Sequence, residues 1–125
     1  MVKTLSILAA GAIAALVCAI ALSAGAAPAR DIHVVARDMT FYVDGRAEAN
    51  PALRVRRGEH VRIVFRNEDA GMKHDFVIPE WDIESKTLSG KGETAITFRV
   101  PDHATSGIYF CTPHASMMRG TIAVE

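Results

Sequence analysis

Four side chains in the last fifth of the 125-residue chain have the types and spacing to bind a metal. The stretch Gly-Ile-Tyr-Phe-Cys-Thr-Pro-His-Ala-Ser-Met-Met-Arg-Gly-Thr, residues 107–121, carries Cys111, His114, Met117 and Met118. A thiolate, an imidazole and a thioether suit a copper ion that cycles between Cu(II) and Cu(I). Soft sulfur stabilises the reduced form, and imidazole serves both. Such a set lacks a second imidazole, and His74 in Gly-Met-Lys-His-Asp-Phe-Val-Ile is the best-placed residue to supply it. Two histidines and a cysteine bound strongly in one plane, with a long axial methionine, is the donor set of a blue, type 1 copper centre. Its expected work is the transfer of single electrons.

The rest of the chain has to be compatible with that chemistry. Lys3 precedes an apolar run, Leu5–Leu22, broken only by Ser6, and the run ends in Ser23-Ala24-Gly25-Ala26-Ala27-Pro28. A basic start, an apolar middle and an Ala-x-Ala exit describe a secretory signal peptide covering residues 1–26, cut after Ala26. An uncleaved membrane anchor is the competing reading, and the Ala and Gly content of the run argues against it. Val17, not a small residue, precedes Cys18, so a lipid-modified cysteine is not expected. Cleavage leaves residues 27–125 as a single domain with one of the two cysteines, Cys111. Exported cysteines normally pair. A lone one is buried and inert, bridges to another chain, or is held by a metal. The metal reading needs no partner protein. Acidic and basic residues balance at 14 each, which gives no reason to expect nucleic acid or an anionic membrane as a partner.

Beyond Arg30 the pattern is of short strands between Gly, Pro and Asn, with no sustained helical period. Strands are expected over 31–37, 41–43, 53–57, 60–67, 76–78, 93–100, 107–111 and 120–125. Over 60–67 Val61, Ile63 and Phe65 alternate with polar residues, as one buried face requires. Residues 79–92 read as a crossing segment anchored by Trp81 and Ile83, with room for a helical turn. About seven short strands at regular spacing imply an all-β, antiparallel Greek-key sandwich. In that frame Cys111 closes one strand and Met118 opens the next, so a single connection delivers Cys-x2-His-x3-Met.

From about Pro51 to Glu125 the chain resembles the cupredoxins: plastocyanin, pseudoazurin, amicyanin and azurin. Cys-Thr-Pro-His at 111–114 is similar to the amicyanin and pseudoazurin loop. His-Ala-Ser-Met-Met-Arg-Gly-Thr-Ile at 114–122 is closer to azurin, where the axial methionine comes four residues after the histidine. That register implies Met118 as the axial ligand, whereas an amicyanin-like count would select Met117. The resemblance implies copper held by His74, Cys111, His114 and Met118. It also implies an electron-transfer surface where His114 emerges among Pro113, Ala115 and Met117. Pro113 has no N–H to offer the Cys111 sulfur, which leaves the N–H of Asp75 as the remaining backbone donor. Many cupredoxins carry Asn where Asp75 stands, and a carboxylate offers acceptor oxygens where an amide donor would brace the ligand loop.

Phe76-Val77-Ile78-Pro79 is also similar to the copper domain of cytochrome oxidase subunit II, whose binuclear centre needs two cysteines four residues apart. Cys111 is alone. The expected protein is a periplasmic or otherwise exported monomer that exchanges electrons with partner redox proteins and is not itself an enzyme. The alternative is a carrier or resistance protein that holds Cu(I). Zinc in the same donors is formally open. His33, His60 and His103 read as surface or hydrogen-bonded residues, and the arginines at 54, 56, 57, 62 and 66 as solvated strand faces.

Overall fold

The computed structural model describes residues 25 and 27–125. The signal-peptide reading, its cut after Ala26 and Cys18 fall outside the described residues. Among the described residues no helix is long and apolar enough to cross a membrane.

Two sheets face each other. The first has the order β2-β1-β4-β9, from β1 (Arg30–Arg37), β2 (Thr40–Val43), β4 (His60–Asn67) and β9 (Gly92–Arg99). The second has the order β3-β11-β10-β6-β7, from β3 (Leu53–Val55), β6 (Val77–Ile78), β7 (Ile83–Glu84), β10 (Gly107–Phe110) and β11 (Arg119–Val124). A separate two-stranded ribbon joins β5 (Lys73–His74) to β8 (Leu88–Ser89), with His74 opposite Leu88. Alternation along β4 buries Val61, Ile63 and Phe65 completely. These meet Ile122, Tyr109, Ile78 and Val55 from the other sheet in one core.

The all-β sandwich is as the strand pattern implies, but its pairing differs from the expected antiparallel seven. Eleven strands are assigned among the described residues, because the 79–92 segment holds β7 and β8 as well as a 3-10 turn at Pro79–Trp81. Two pairings are parallel: β1 with β4, and β3 with β11. The reason lies in the route of the chain. After the β1–β2 hairpin it crosses to the second sheet as β3, then returns beside β1 running in the same direction. Period-2 burial is blind to strand direction, since it fixes only which face is buried.

Four aromatic rings fill the space between the sheets. Phe41 lies 6.2 Å from Phe65, 5.8 Å from Phe76 and 5.4 Å from Tyr109, each edge to face. Phe76 stacks on Tyr109 at 5.3 Å. Offset and edge-on ring pairs add to the burial of their area. The Tyr109 hydroxyl donates to the Pro51 carbonyl at 2.6 Å, and its ring lies across Gly120, where any Cβ would collide with it. Gly120 is therefore glycine for space, not for backbone freedom. Burial pushes the Tyr109 phenol up, assisted by the Glu48 charge, so it stays a donor. This packing fixes the β10–β11 pair that carries the donor loop, while Phe76 anchors the chain two residues beyond His74.

Candidate metal centre

Cys111 lies one residue beyond β10 and Met118 one before β11, so each sits just outside the strand end expected for it. The two are nevertheless joined, since the Cys111 N–H donates to the Met118 carbonyl at 3.0 Å. Between them Thr112–His114 forms a 3-10 turn with Pro113 early in it, a position where a missing N–H costs nothing. The His114 N–H donates to the Cys111 carbonyl at 3.1 Å, and the Met117 and Met118 N–H groups donate to the His114 carbonyl at 3.0 and 2.9 Å. This ladder points the Met118 side chain inward, where it is fully buried, and leaves Met117 58% exposed. Met117 is the only large apolar side chain so exposed among the described residues.

His74 reaches the same place from the β5–β8 ribbon. Its Nδ1 and the Nδ1 of His114 each lie 3.6 Å from Cys111 Sγ, and the three donor atoms fall within 4.8 Å of one another. The rings are 5.0 Å apart between centroids. His74 and Cys111 are fully buried, whereas His114 and Ala115 are half-buried and Pro113 is exposed. Cys111 is a free thiol. Burial pushes that thiol up; the Asp75 N–H draws it down, the Asp75 charge raises it again, and the net is upward. A cation placed among these donors has to displace the thiol proton, as thiolate coordination requires. Two imidazole nitrogens and one sulfur, converging on one point with no disulfide, are a donor set that fits copper.

The Asp75 expectation needs correction. Its carboxylate is buried and accepts the Thr112 N–H at 2.6 Å. The brace between the two donor segments is thus kept, because the group to be held is a backbone donor and an acceptor oxygen is what it requires.

A carboxylate that the motif does not include completes the surroundings. Asp69 Oδ2 lies 2.9 Å from His74 Nε2. Burial alone would raise the Asp69 carboxyl, but the Asp38 N–H, the His74 ring and the Met39 N–H outweigh it and hold it below the usual range. In sequence Asp69 is one acidic residue in a polar loop, and nothing in its neighbours distinguishes it from a solvated one. His33 and His103 are exposed and His60 half-buried, all outside the cluster.

These features define a copper protein of the sandwich type. The sequence profile of copper binding proteins, plastocyanin/azurin family, matches residues 38–125. The chain belongs to that family, and copper is its cofactor. Among solved structures it is similar to auracyanin A, a blue copper protein from the green thermophilic photosynthetic bacterium Chloroflexus aurantiacus. The TM-score is 0.62 at 20% identity, over 78% of this chain and all of that one. Auracyanin from Roseiflexus castenholzii gives 0.60 at 16%, covering 78% and 99%. Rusticyanin from Thiobacillus ferrooxidans gives 0.52 at 25%, covering 78% and 79%. No curated protein matches the sequence.

Proposed function

We propose that this protein is an exported, single-domain electron carrier with one type 1 copper ion held by His74, Cys111, His114 and Met118. The observation that carries the reading is the convergence of two Nδ1 atoms on the unpaired Cys111 sulfur, within a family of copper binding proteins. When bound, copper supplies a one-electron Cu(II)/Cu(I) couple. The chain supplies rigidity. Cys111, His114 and Met118 are tied by their own backbone bonds, and the Asp75–Thr112 bond ties them to the His74 segment, so little has to move when charge changes. His74 and Cys111 are shut away from water, and His114 is the imidazole that reaches the surface. It does so beside Pro113, Ala115 and the exposed Met117, an apolar rim on which a partner redox protein can dock. Burial of His74, Cys111 and Met118 weighs against the carrier alternative, in which metal must pass to another protein.

Loading the purified protein with Cu(II) should produce an intense thiolate-to-copper visible band that ascorbate bleaches and reoxidation restores. Cys111→Ser should abolish both the band and the redox response; a variant that stays blue would remove Cys111 from the centre. Met118→Leu should keep the colour and raise the reduction potential, with Met117→Leu leaving it unchanged. The reverse result would make Met117 the axial ligand.

A further inference from the structure

Asp69 is held from four directions, three of them at its carboxylate. Its Oδ1 accepts the Asp38 N–H at 2.8 Å and its Oδ2 the Met39 N–H at 3.3 Å. Its own N–H donates to Asn67 Oδ1 at 2.9 Å, and Oδ2 faces His74 Nε2 at 2.9 Å. Asp38 and Met39 form the two-residue turn between β1 and β2, both at positive φ, 50° and 57°. Neither is glycine, so the turn is a strained one for L-residues. The carboxylate that caps it is fixed before any metal arrives.

An ionised carboxylate only accepts hydrogen bonds. A His74 ring that bonds to it through Nε2 therefore carries its proton there, and its one lone pair lies on Nδ1, the atom facing Cys111 Sγ. His114 has no carboxylate partner among the described residues. Resting on the copper reading above, we propose that Asp69 is a positioning residue for the centre. It locks the tautomer and orientation of His74 through Nε2 and makes Nδ1 a stronger donor to Cu(II). A partner of this kind on a ligating histidine raises ligand basicity, and its loss lowers metal affinity about 10–100-fold. Cu(II), the harder ion, gains more from a more basic imidazole than Cu(I) does.

The test is Asp69→Asn, which keeps one acceptor oxygen for the Asp38 N–H but removes the charge. The expected result is a fall in Cu(II) affinity of about 10–100-fold, a smaller fall for Cu(I), and hence a raised reduction potential. Equal falls for the two ions, or an unchanged potential, would reduce Asp69 to a turn cap and overturn the inference. If that variant folds poorly, the same change in a Met39→Gly background is measured, since glycine accepts the turn without a cap. Nitrogen NMR of the copper-free protein gives an independent reading. The His74 ring should be protonated at Nε2 in the parent and lose that fixed tautomer in Asp69→Asn; an identical ring in both overturns the inference. A parent protein that shows no thiolate-to-copper band would refute the electron-carrier reading, while the copper-free ring measurement would still decide the role of Asp69.

Discussion

The loop from Cys111 to Met118 holds itself, whereas His74 is held by others. In the loop the three donor residues, Cys111, His114 and Met118, are set by short-range backbone bonds to one another, closed by the paired strands β10 and β11. The His74 ribbon has only two residues in each strand. It is held by side chains: Asp69 on the ring, and Asn67, whose amide donates to the Met72 carbonyl at 2.8 Å and the Leu88 carbonyl at 3.3 Å. Three donors thus come from local geometry and the fourth from a polar network that needs each member satisfied. Substitutions away from the donors should therefore act differently on the two regions.

Asn67→Ala attacks the network. It removes one hydrogen bond each from the half-buried Met72 and Leu88 carbonyls and from the Asp69 N–H, and should cost on the order of 3 kcal/mol in urea unfolding of the copper-free protein. The comparison predicts that His74 amides lose hydrogen-exchange protection while those of the 111–118 loop keep theirs. Equal loss in both would mean the regions are not independent. Asp75→Ala cuts the bond that joins them and should cost about 2 kcal/mol. Asp75→Asn keeps an acceptor oxygen for Thr112 and should recover most of that stability together with the copper spectrum. If Asn behaves like Ala, charge rather than the acceptor is what Thr112 needs.

The smallest effect is expected far from both regions. Glu59 accepts from the Arg30 guanidinium at 2.5 Å and the Arg56 N–H at 2.9 Å, and the Arg30 hydrogen bond, against burial, holds its carboxyl below the ordinary 4.5. The folded protein thus binds that proton less readily than the unfolded chain. The stability it contributes is present above 4.5 and is lost as pH falls through the lower, folded value. Arg30 is half exposed, so solvent screening keeps the term to about 1 kcal/mol or less. Glu59→Gln should flatten the acid limb of stability by that amount and leave copper affinity untouched.

The same contrast explains what could be read from residues alone. Cys111, His114 and Met118 were legible because their spacing is local and the chemistry names the residue types. The buried face of β4 was legible because alternation is local too. Strand direction was not, since Ile32 beside Ile63 looks the same in a parallel or an antiparallel pair. Nor were β5 and β8, which are too short to show a period. Asp69 escaped because its partners come from positions 38, 39 and 74, and no spacing rule links them. Asp75 was misjudged by its charge, where its acceptor oxygen was the relevant property.

The parallel pairing of β3 with β11 also bears on timing. Leu53 lies beside Ile122, and the Glu125 N–H reaches the Val55 carbonyl at 2.9 Å, so the second sheet closes only when segments some seventy residues apart have met. Contacts so distant in sequence are made late and slowly. Cys111 and His114 can approach each other in a nascent chain, whereas His74, on the β5–β8 ribbon, meets Cys111 only across 37 residues of sequence. Copper encountering the chain earlier would find a thiol and one imidazole on a mobile loop, an open and oxidisable pair. The complete donor set exists only once His74 has been brought to that loop.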